Sequence, residues 1–79
     1  MPATDLTRNW GKRLAEHRTE AGMSVAALAA AVGRSRTHIY KLEAGDHAPT
    51  DALRVQLAAA LSTTVSELFP YDAEPDAAA

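Results

Sequence analysis

The sequence contains no cysteine, which excludes disulfides and any zinc site built from thiolates. It has no alternating run of β-branched or aromatic residues, so no β-strand is predicted. No apolar run approaches the roughly 20 residues of a membrane-spanning helix, and residues 1–7 lack the basic and then apolar layout of a signal peptide. A chain of 79 residues has only a thin core. We therefore expect one small cytoplasmic domain, with no membrane partner, in which self-association is the remaining source of extra stability.

The chain also lacks a net positive charge: its formal net charge is -2. Taken alone, this value argues against a nucleic-acid partner. The distribution of charge along the chain reverses that inference. Residues 1–50 carry seven Lys or Arg against five Asp or Glu, whereas residues 51–79 carry one basic residue against five acidic ones. Arg34, Arg36 and Lys41 fall within eight positions. This local cluster favours an anionic partner.

What the sequence does have is abundant alanine and apolar residues at helical spacing, which predict five short helices between about residues 6 and 69. The predicted N-caps are Ser24, Ser35, Thr50 and Thr64. The predicted C-terminal stops are Gly22, Gly33, Gly45 and Pro70. The predicted inward-facing positions include Leu6, Trp10, Leu14, Ala21, Leu28, Ala29, Val32, Ile39, Leu42, Leu53, Leu57 and Leu61. We expect a domain over 6–70, a flexible N-terminus over 1–5 and an acidic, disordered tail over 71–79.

The second and third predicted helices, about 25–32 and 36–44, are separated by only three residues, so they must cross steeply in a helix-turn-helix. With Ile39 and Leu42 facing inward, the opposite side of the third helix carries Thr37, Tyr40 and Lys41, and Arg36 can swing onto it from the first turn. These side chains suit base edges and phosphates. The alternative is an ordinary solvated helix face.

From Trp10 to Phe69 the chain resembles the Xre family of helix-turn-helix proteins, which includes Cro and lambda-type repressors. The resemblance rests on Gly11-Lys12-Arg13-Leu14, Arg18, Gly22-Met23-Ser24, Leu28-Ala29, Val32-Gly33, Ser35, Ile39, Leu42-Glu43, Gly45, Pro49-Thr50, Leu57-Ala58, Leu61 and Glu67-Leu68-Phe69. It implies an all-α, five-helix bundle of the lambda-repressor-like type, whose third helix is the recognition helix. It also implies a structural ion pair between Arg18 and Glu43.

The expected partner is double-stranded DNA. We expect base edges to be read by Arg36, Thr37, Tyr40 and Lys41. Phosphates are expected at Ser24, Val25, Arg34, Ser35 and His47. The sequence departs from the family pattern in three places. Val25 stands where a glutamine usually holds a phosphate, Arg34 occupies a turn position that is often apolar, and Asp46 and His47 replace a commonly basic loop.

The expected function is that of a transcriptional regulator, most often a repressor in this family, acting as a homodimer. Candidate residues for the dimer interface are Val65, Leu68, Phe69 and Tyr71, of which some are expected to close the monomer core instead. Trp10 is assigned to the core or to that interface. No enzyme, cofactor or metal site is expected, because the three histidines at 17, 38 and 47 are scattered. Two alternatives stay open. One is an antitoxin or partner-regulated interaction module, and the other is the same fold with the third helix as a protein interface.

Overall fold

The computed structural model describes residues 5–71, and every regular element in that range is helical. The helices are α1 (Asp5–Glu20), α2 (Val25–Val32), α3 (Arg36–Ala44), α4 (Asp51–Ala60) and α5 (Val65–Leu68). This arrangement confirms the predicted all-α fold of five short helices. Within the described range, no helix is both long enough and apolar enough to cross a membrane.

The predicted terminal segments fall largely outside the described residues. Of the N-terminus predicted over 1–5, only Asp5 is described, and it is the first residue of α1. Of the acidic tail predicted over 71–79, only Tyr71 is described, and its ring packs against Trp10. The predicted domain bounds of 6 and 70 therefore stay a prediction.

Hydroxyl side chains begin four of the helices, as the sequence predicts. Ser24, Ser35, Thr50 and Thr64 each accept a hydrogen bond from the backbone N–H three residues later, at 3.0 to 3.2 Å. Each bond satisfies an N–H group that has no partner inside the helix, and such a cap stabilises a helix by about 1 kcal/mol. The starts of α2 to α5 are therefore fixed locally by their own sequence.

Left-handed residues end α2, α3 and α4. Gly33 and Gly45 have φ angles of 68° and 83°, and the two N–H groups at each of these ends bond back to carbonyls of the last helical turn. The end of α4 has the same pattern, but the left-handed residue there is Ser62, with a φ of 56°. The sequence does not reveal this position, because serine rarely adopts that conformation.

One hydrophobic core joins the five helices. α1 packs against α3 and α5, α2 packs against α3 and α4, and α4 packs against α5. The predicted inward positions are confirmed for α2, α3 and α4, whereas Ala21 lies exposed beyond the end of α1 and Leu6 is only partly buried. Each large apolar side chain that is fully buried contributes roughly 1.5 to 3 kcal/mol. The largest of these side chains are Phe69, Leu14, Leu28, Ile39, Leu53, Leu57 and Leu68.

Two polar contacts fasten α1 to the C-terminal end of the fold. The indole Nε1 of Trp10 donates to the carbonyl of Pro70 at 3.0 Å. Arg13 donates to the carbonyl of Glu67 through Nε at 3.0 Å and Nη2 at 2.5 Å. Trp10 was expected in the core or in a dimer interface, and in the structure it is buried in the core.

Candidate nucleic-acid interface

The helix-turn-helix consists of α2, the turn at 33–35 and α3. Gly33 reverses the chain in a left-handed conformation, and Ser35 caps α3 immediately afterwards. Ile39 and Leu42 are 0% and 2% exposed, so the inner side of α3 is packed tightly into the core. A helix held in this way presents its outer side as a rigid surface.

The outer side of α3 carries four polar side chains that were assigned to base reading. Arg36, Thr37, Tyr40 and Lys41 are all exposed, and the phenol of Tyr40 is 60% exposed. Together they offer a guanidinium, a hydroxyl, a phenol and an ammonium group on one surface. All four can donate hydrogen bonds to guanine or to phosphate oxygens without any rearrangement of the core.

The residues expected at phosphates lie at the start of α2, in the turn before α3 and in the loop after α3. The Ser24 and Ser35 hydroxyls accept backbone N–H groups as N-caps, which leaves their protons able to donate to an anion. Val25 is 9% exposed and its side chain belongs to the core, so it can offer only its backbone N–H at the start of α2. Arg34 is exposed in the turn, where its Nη1 lies 3.4 Å from the carbonyl of Gly33.

His47, in the loop after α3, contacts His38 of that helix, nine residues earlier in the chain. Its ring stacks on that of His38, with centroids 6.0 Å apart and planes 11° apart. Two of the three histidines that the sequence suggested to be scattered are therefore adjacent. Among the described residues, no group of three or more His, Cys, Asp or Glu is placed to hold a metal ion.

Arg18 and Glu43 meet at the junction of α1 and α3. The guanidinium donates Nε to Glu43 Oε2 at 2.7 Å and Nη2 to Oε1 at 3.3 Å, while Nη1 donates to the carbonyl of Met23 at 2.9 Å. The hydrogen bond to Glu43 raises the pKa of Arg18 above its usual value, against the lowering effect of burial. The pair connects α1, the turn before α2 and α3.

The candidate dimer residues divide into two groups. Leu68 and Phe69 are 0% and 2% exposed, so these two close the monomer core, as is expected of some of the four candidates. Val65 is partly buried and Tyr71 is 61% exposed. A surface groove, here called the C-terminal groove, is lined by Val65, Ser66, Phe69, Pro70 and Tyr71.

Arg54 supports this groove from α4 and was not identified from the sequence. Its guanidinium lies 5.1 Å from the centre of the Trp10 ring and 5.3 Å from that of Tyr71. It donates to the Tyr71 hydroxyl at 2.6 Å and pairs with Asp51. An isolated basic residue among acidic neighbours gave no signal in the sequence, because its aromatic partners are far away along the chain.

A family model described as helix-turn-helix domain matches residues 11–68. The chain belongs to this family and is of the Xre type. No curated protein matches the chain. The controller protein C.AhdI of a restriction-modification system from Aeromonas hydrophila is 35% identical, with 82% of this chain and 97% of that chain covered and a TM-score of 0.76.

Two further solved structures are similar. The clp gene regulator ClgR from Corynebacterium glutamicum is 25% identical, with a TM-score of 0.80, and 86% of this chain and 87% of that chain are covered. An HTH_3 family transcriptional regulator from Vibrio cholerae is 28% identical, with a TM-score of 0.75, and the coverage is 87% of this chain and 40% of that chain. Family and neighbours together identify the chain as a DNA-binding regulator in the broad sense.

Proposed function

We propose that this protein is a sequence-specific regulator that reads the major groove of double-stranded DNA with α3 and represses transcription by occupying its site. The observation that carries the proposal is the contrast between the two sides of α3. Ile39 and Leu42 are buried, whereas the opposite side presents the exposed polar groups of Arg36, Thr37, Tyr40 and Lys41 together with Ala44. Such a helix fits the width of the major groove and carries donors for base edges.

Phosphate contacts would position α3 over the bases. Ser24 and Ser35 cap the two helices whose N-terminal N–H groups and dipoles favour an anion. The exposed Arg34 adds a cation between them, and His47 adds a donor next to His38. Asp46 is exposed in the same loop and opposes binding if it approaches the backbone of the DNA.

The protein acts on DNA as a homodimer in this proposal. A single α3 covers only a few base pairs, so a regulator of this size needs two copies related by a two-fold axis. The C-terminal groove supplies the subunit surface, with Tyr71 as its most exposed apolar side chain. The relatives support a regulatory role, since one is named as a controller protein and another as a gene regulator.

Selection from a random duplex library with the purified protein tests the proposal directly. We expect an enriched inverted repeat whose half-site centres lie about 10 base pairs apart, and a reporter gene with this site at its promoter should be repressed. Failure to enrich any sequence would contradict the proposal. If a stoichiometric protein partner then co-purified from cells, the partner-regulated module would become the better assignment.

A further inference from the structure

Gly11 lies at a close approach between α1 and α3. It lies buried in the middle of α1, and a Cβ atom at this position would be 2.5 Å from the carbonyl oxygen of Leu42 and 2.6 Å from that of Glu43. Both are backbone atoms of the last turn of α3, so no side-chain rotation can relieve the contact. Any residue with a side chain would require the helices to separate by up to about an ångström to reach ordinary contact.

Gly45 contributes to the same contact from the other helix. A Cβ atom there would lie 2.9 Å from Arg8 Cα and 3.0 Å from its Cγ. Gly45 also has a φ of 83°, which lets the chain leave α3 in a left-handed turn towards the loop that carries His47. The C-terminal end of α3 is therefore held against the N-terminal half of α1 by two residues without side chains.

Helix propensity alone does not account for Gly11. Glycine inside a helix is less favourable than alanine by about 1 kcal/mol, because it loses more backbone entropy on folding. An isolated α1 would be more stable with alanine at this position. The close approach to α3 gives a physical reason for glycine instead.

We propose that Gly11 is a positioning residue for DNA reading, because it sets how α3 projects its outer side from the domain. This proposal rests on the function proposed above for α3. Hydrogen bonds to base edges tolerate only a few tenths of an ångström, so an outward displacement of α3 would misplace Arg36 and Lys41 together. Flexible basic side chains would still reach phosphates, so non-specific binding would persist.

The test compares Gly11→Ala with Gly22→Ala. A Cβ atom at Gly22 meets nothing within 4 Å, but the φ of 72° there strains any other residue, so Gly22→Ala destabilises the fold without displacing α3. The affinity of each variant is measured for the selected operator and for a random duplex, at a temperature where circular dichroism shows both to be folded. Amide spectra of the free proteins report the position of α3 independently of DNA.

We expect Gly11→Ala to lower the ratio of operator to random-duplex affinity by about tenfold or more, as when one base contact is lost. Its α3 amide signals should shift. Gly22→Ala should keep the wild-type ratio. An unchanged ratio in folded Gly11→Ala overturns the proposal for Gly11 alone, whereas a wild-type protein that does not discriminate the two duplexes overturns the function proposed for α3.

If Gly11→Ala unfolds, both variants are measured in trimethylamine oxide, which favours compact states. Persistent unfolding there would assign Gly11 to fold stability and overturn the positioning role.

Discussion

Arg18 and Glu43 form a two-point contact in which Nε and Nη2 of the guanidinium bond to the two carboxylate oxygens at 2.7 and 3.3 Å. Their side chains are only 18% and 12% exposed, so each charge depends on the other for compensation. The third arm of the guanidinium bonds to the carbonyl of Met23. This ion pair adds to the shared core and to the close approach at Gly11 in holding α3 against α1.

Arg18→Ala and Glu43→Ala should each lower the free energy of unfolding by about 2 to 4 kcal/mol, because each leaves a largely buried charge without its partner. The double variant should cost less than the sum of the two. Urea unfolding of the four proteins in the cycle measures the coupling. Additive effects would show that the two side chains act independently.

If α3 reads DNA as proposed, Arg36→Ala and Lys41→Ala should each weaken operator binding by about 1 to 3 kcal/mol, because each removes an expected pairing with a base edge. Both side chains are exposed, so the unfolding midpoint should not change. Gln56→Ala, on the exposed side of α4, is the matched control and should leave the affinity unaltered. Unchanged affinity in both α3 variants would contradict the assignment of α3 as the reading helix.

Ser66→Arg should abolish the homodimer without unfolding the subunit, because Ser66 lines the C-terminal groove but is exposed. Sedimentation should show a monomer, with affinity for the full inverted repeat reduced by about tenfold or more and affinity for a half-site retained. Gln56→Arg adds the same charge outside the groove and should remain dimeric. A dimeric Ser66→Arg protein would exclude the groove as the subunit surface.

Ser62→Gly should stabilise the fold by about 1 kcal/mol. Ser62 has a φ of 56°, where a side chain is strained and glycine is not. Thermal unfolding measures the gain. Gly33→Ala is the reverse change and should destabilise the fold, because it imposes the same strain at the end of α2. A Ser62→Gly protein that is less stable than the wild type would show that the serine makes a compensating contact.

Tyr71→Phe should cost about 0.5 to 1 kcal/mol of stability, because it removes the hydroxyl that accepts from Arg54 at 2.6 Å and keeps the ring on Trp10. Tyr40→Phe is the control, since Tyr40 projects from α3 and should affect DNA binding rather than stability. Chemical denaturation distinguishes the two variants. Equal stability losses would show that the Arg54 bond contributes nothing specific.

The sequence predicts α2 and α3 to the residue, because a serine cap precedes each helix and a glycine follows it. It also predicts the two sides of α3, because Ile39 and Leu42 fix the orientation of the helix. These features depend on residues close together in the chain, for which spacing carries the information.

The features that the sequence does not predict depend on tertiary contacts. The sequence leaves Leu68 and Phe69 between a dimer interface and the core. Which of the two they face depends on α1, more than 50 positions away. The stacking of His47 on His38 depends on the path of a loop. The close approach at Gly11 depends on how α1 and α3 cross, which spacing does not encode.

The bond from Trp10 to the carbonyl of Pro70 joins residues 60 positions apart. During synthesis α1 leaves the ribosome before the other four helices. The Pro70 carbonyl, which accepts from the indole of Trp10, is made among the last residues of the domain. α1, α2 and α3 can associate earlier through local contacts, whereas the core beneath Phe69 closes only when residue 70 has emerged. Completion of the fold, and with it the C-terminal groove, is therefore a late event in the synthesis of each chain.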